Sequence, residues 1–244
     1  MEIIKKYKVL LVVALLALGG VSFLYRLYHH DVKALGGFVA SYERFDKATS
    51  DFSTSILASN PENASALDRL NKIYSQIIGS LQDPRPNSNR LALAKEAIAL
   101  NNDLFGYLNK TDDVENKARD ALVELNTKSS VRISSLIKND GELMSKELEI
   151  ADYSKKELDT LSTYKKAIRD KGDITNQSLQ KIVDDKGGLG EFIEFVNQKD
   201  NQAKIQSEGG DSDALSKELN DLHNNRTSAY ARFQKLAEMK SLGR

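Results

Sequence analysis

The chain has 244 residues, with 35 basic and 35 acidic side chains, three Pro, no Cys and no Trp. Without Cys there is no disulfide, no thiolate metal site, no cysteine nucleophile and no bacterial lipoprotein anchor. The zero net charge is unevenly placed, +3 over residues 1–33 and −3 over the remainder, and a mildly acidic body with interspersed signs has no electrostatic footprint for nucleic acid.

Leu, Ala, Lys and Glu are abundant and β-branched runs are scarce, so the expected fold class is all-α. A single N-terminal transmembrane helix is expected to precede an antiparallel, coiled-coil-like helical bundle. Residues 9–25 hold no charge, and 11 of these 17 are Leu, Val or Phe. As a helix the segment rises about 25 Å, the short edge of a membrane span, and its summed insertion free energy is about −5 kcal/mol. Val9, Leu16, Gly19, Gly20 and Tyr25 mark its extent. Lys5, Lys6 and Lys8 precede it, whereas Arg26 and Lys33 alone follow closely. That bias makes residues 1–8 a cytoplasmic lead and puts the body outside, in a periplasmic or extracellular space. The alternative is a cleaved signal, because Ala17-Leu18-Gly19 and Gly20-Val21-Ser22 offer small-x-small patterns. Both readings export the body; the second yields a secreted protein.

The main bundle is expected over 31–171, with a C-terminal helical segment, in the same or a second subdomain, over 172–244. In 31–58, Leu35, Phe38, Tyr42, Phe45, Phe52 and Ile56 recur at spacings of three and four, with Thr49 as a polar interruption. This aromatic heptad seam serves either as internal core or as a surface for a second copy or another protein. Asn60-Pro61 reads as a cap and helix start, and a helix over 61–81 carries Leu67, Leu70, Ile73, Tyr74, Ile77, Ile78 and Leu81. "QDPRPNSN" (82–89) is a loop, followed by a helix over 90–109 with Leu91, Ala94, Ile98, Phe105 and Leu108. Thr111-Asp112-Asp113 offers a cap and an acidic first turn. Helix then continues to Asp170, with weak points at Asn139-Asp140-Gly141 and Ser154.

"DKGDITNQ" (170–177) and "DDKGGLGE" (184–191) are expected to bracket a short helix, and 189–205 to be helical, with a strand as the alternative for "FIEFV". "SEGGDSD" (207–213) reads as a flexible linker. The last helix, from about 213 to 240, carries Leu215, Leu219, Leu222, Ala229, Phe233 and Leu236, with Arg226 interrupting the stripe.

Motifs for chemistry are weak. "KGGLGEF" (186–192) lacks the Lys-Ser/Thr of a phosphate loop and reads as one helix ending and another beginning. His29 and His30 are adjacent, point about 100° apart on a helix, and have only His223 for company, a poor zinc set. Asp112-Asp113, Asp184-Asp185 and "DSD" (211–213) match no calcium loop. Asn63, Asn109, Asn176 and Asn225 open glycosylation sequons. No catalytic, cofactor or metal site is assigned. The expected function is a membrane-anchored, extracytoplasmic, non-enzymatic scaffold that meets a second copy or another protein through helix faces. A helical ligand-binding, sensor-like module is the alternative, and an all-helical hydrolase a lesser one.

Overall fold

The computed structural model describes residues 33, 35–56, 61–133 and 141–242, and every regular element among them is an α-helix. They are α1 (35–56), α2 (Pro61–Gly79), α3 (Ser88–Lys110), α4 (Asp112–Ile133), α5 (Gly141–Asp184), α6 (Gly190–Asn197) and α7 (Lys199–Leu242). Among the described residues no helix is long and apolar enough to cross a membrane. The expected anchor, with Val9, Leu16, Gly19, Gly20 and Tyr25, lies outside them, as do His29, His30 and the proposed cap Asn60.

Helix directions follow from paired residues. Phe38 meets Phe233, Tyr42 stacks on Tyr230, and Asp46 pairs with Arg226, so α1 and α7 run antiparallel. Arg44 pairs with Glu124 while Gly37 lies against Lys128, which makes α4 antiparallel to α1. Lys165 bonds Asp112 and Glu115, and Arg119 donates to Ser162, so α4 also opposes α5. Further along α5, Asn101 reaches Gly172, and Arg90 reaches Gly187, so α3 runs the same way as α4. Thr111 alone joins α3 to α4.

Two separate apolar cores result. One lies among α1, α4, the first half of α5 and the second half of α7, and holds Phe38, Phe45, Phe52, Leu125, Ile150, Leu158 and Phe233. The other lies among α2, α3, the second half of α5 and α6, around Leu70, Ile73, Ile77, Ala94, Ala97, Leu179, Ile182 and Leu189. Each is a four-helix packing of apolar stripes, and each large side chain fully buried contributes about 1.5–3 kcal/mol. The two share α5, whose 44 residues rise about 66 Å.

Several boundaries differ from those the sequence predicts. The predicted break at 170–177 falls inside α5. Gly172 is there for proximity: a Cβ would come within 2.3 Å of the Phe105 ring, so its absence lets α3 approach α5. The amide of Asn101 uses that approach, donating to Gly172 O at 2.8 Å and Asn176 Oδ1 at 3.0 Å. Ser154 is buried mid-helix rather than capping a restart. "SEGGDSD", expected as a linker, is helical within α7, and "FIEFV" is part of α6. On α2 the buried stripe is Leu70, Ile73 and Ile77, while Ile78 is exposed; Leu81, also exposed, lies in the turn after the helix.

The glycine-rich turn after α5 acts as a joint. Gly187 has φ +92°, and a Cβ there would lie 2.2 Å from Asn87 O, so only glycine fits. Its N–H closes α5 on Ile182 O at 2.7 Å. Asn87 caps α3, accepting from the N–H groups of Asn89 and Arg90. Arg90, 3% exposed, donates to Ser80 Oγ and to the carbonyls of Ser80, Asp83, Arg85 and Gly187, tying the 80–87 loop to this turn.

Candidate functional site

Two polar residues interrupt otherwise apolar helix stripes, Thr49 on α1 and Arg226 on α7. Folding brings both to one cleft between α1, α5 and α7. A buried guanidinium needs a carboxylate and a full set of acceptors, and Arg226, 1% exposed, has them. Its Nε donates to Glu157 Oε2 at 2.5 Å, one Nη to Tyr42 Oη at 2.9 Å, and the other to Asp46 Oδ1 at 2.7 Å. That second Nη also lies 3.3 Å from His223 Nδ1, which is 3.2 Å from Glu157 Oε1. The guanidinium stacks near the Tyr42 and Phe45 rings, 5.3 and 5.4 Å from their centroids.

The electrostatics reflect this packing. Burial pulls the Arg226 pKa down, but Glu157, with Tyr42 and Asp46, outweighs it and holds the group above its ordinary value. Burial pushes the Tyr42 phenol up to about 12, with Arg226 opposing the rise. One guanidinium therefore faces two carboxyl groups, with the His223 ring beside them.

The cleft above this node encloses about 230 Å³. Thr49, Glu157, Leu161, Leu219 and Arg226 form its buried floor. Ser50, Ser53, Thr54, Ser216, Asn220 and His223 form a more exposed polar rim. Thr49 is 1% exposed, and its buried Oγ1 has no hydrogen-bond partner among the described residues. A second buried cation lies in the same bundle: Lys165 bonds Asp112 and, at 3.0 Å, Glu115, and sits 5.7 Å from the Phe52 ring centroid. Burial raises the Glu115 carboxyl, but hydrogen bonds from Arg119, Lys165 and Ser162 bring it below its usual range.

Of the seam, Phe38, Tyr42, Phe45, Phe52 and Ile56 are at most 4% exposed and face α4, α5 and α7, with Leu35 packed partly buried against them. Of these, Tyr42 bonds to the polar node and the Phe45 ring lies against its guanidinium. "KGGLGEF" forms the α5–α6 joint described above. Asn176, which opens a sequon, donates to Asn102 and accepts from Asn101 within the α3–α5 contact. Among the described residues no group of three or more His, Asp and Glu is placed to hold a metal. Sequence alone does not single out Asp46 and Glu157, since acids are common on solvated helix faces. The signal is indirect: an arginine inside a core stripe demands carboxylates from facing helices. No protein-family model, no curated protein and no solved structure matches the chain.

Proposed function

We propose that the protein is a non-enzymatic helical scaffold, held at a membrane by residues 9–25 and facing a periplasmic or extracellular space. The observation that carries it is α5, a continuous helix of about 66 Å on which two separate cores are threaded. Such a body holds its two ends at a fixed separation and presents long solvated helix faces to a second copy or another protein. The buried carboxylate Glu157 and the half-buried Glu115 each oppose a cation, an arrangement suited to joining helices rather than to donating protons in a reaction. The test is crosslinking of the intact protein in cells, followed by mass spectrometry. Reproducible links from exposed faces of α2 to α7 to a second copy or to one partner are expected. A full-length protein that crosslinks to nothing in its own membrane overturns the reading.

A second reading, a helical ligand-binding module, is favoured by the polar cleft between α1, α5 and α7. Small-molecule sites are concave, with a few converging polar groups above apolar walls, and this cleft has both.

A further inference from the structure

We draw no further inference here: the strongest candidate, the exposed stripe of small residues Ala92, Ala99 and Gly106 along the outward face of α3, leaves room for the close approach of another helix, but nothing in the structure shows what covers it.

Discussion

Removing a buried guanidinium and removing its whole ion pair are different perturbations. Arg226→Met would take from Glu157, 5% exposed, its guanidinium partner and leave the His223 ring, 3.2 Å away, beside it. Breaking one side of a buried pair costs about 3–5 kcal/mol, whereas replacing both sides by apolar groups is often neutral. The expected order in urea denaturation is therefore R226M far below wild type, with E157L/R226M recovering most of the loss. A double variant no better than R226M would mean that Asp46 and Tyr42, rather than Glu157, set the requirement for the cation. Tyr42 adds a pH dependence with a definite sign. Its folded pKa is raised from 10.0 to about 12 by burial, so the folded state holds the phenolic proton more tightly than the unfolded chain. Its stability contribution is complete below about pH 10 and is lost as the pH rises through about 12. Tyr42→Phe should flatten that alkaline loss, measured as the urea midpoint between about pH 9 and 12, and leave the neutral-pH profile in shape.

At the scale of elements, the α5–α6 joint rests on a backbone that side chains disfavour. Gly187→Ala puts a Cβ into a φ of +92° and within 2.2 Å of the Asn87 backbone oxygen. The left-handed conformation alone costs about 1–2 kcal/mol, and the clash falls on main chain that cannot step aside. The expected result is a loss of at least about 2 kcal/mol in urea denaturation, with exchange of the Asn87, Gly187 and Leu189 amides accelerated first. An alanine variant with wild-type stability would show that the 80–87 loop moves away at little cost. This joint also illustrates what is legible in the residues. "KGGLGEF" reads correctly as a helix end and restart from its glycines. Its docking onto "QDPRPNSN" does not, because the linking guanidinium, Arg90, meets carbonyls that no side-chain pattern reports. The aromatic seam of α1 is legible for the same reason that it is buried: period and residue type agree. The lengths of α5 and α7 are not. Gly172 and the glycines of "SEGGDSD" look like breaks by local propensity, yet they lie inside helices. For Gly172 the reason is tertiary, since the Phe105 ring lies where its Cβ would be. The cleft is half legible. Thr49 and Arg226 stand out as interruptions, but that they meet is a property of antiparallel register, which periodicity does not encode.

Across the whole molecule, one helix carries two cores, and this raises the question of whether they melt together. The first core draws on both ends of the chain, α1 and α7, with large aromatics at its centre. The second is built from neighbouring elements and smaller side chains, with Ala94 and Ala97 facing Leu179 and Ile182. Local opening follows buried apolar contact, so the second bundle should open at lower free energy than the first. Helix propagation along α5 couples them only in part, because a helix deprived of packing is marginal in water. Native-state hydrogen exchange should therefore resolve two cooperative units, one containing residues 61–110 and 172–197, the other containing 35–56, 112–133 and 214–236. Leu179→Ala, expected to cost about 2–5 kcal/mol, should lower protection in the first of these units and leave Phe45-centred amides nearly unchanged. Phe45→Ala, expected to cost about 3–5 kcal/mol, should lower protection in both. Loss of the first core also frees the N-terminal half of α5 and its contacts with α4, which Thr111 alone joins to α3. Equal loss across all described helices from Leu179→Ala would mean that α5 transmits packing free energy along its full length. The two cores would then be a single cooperative unit.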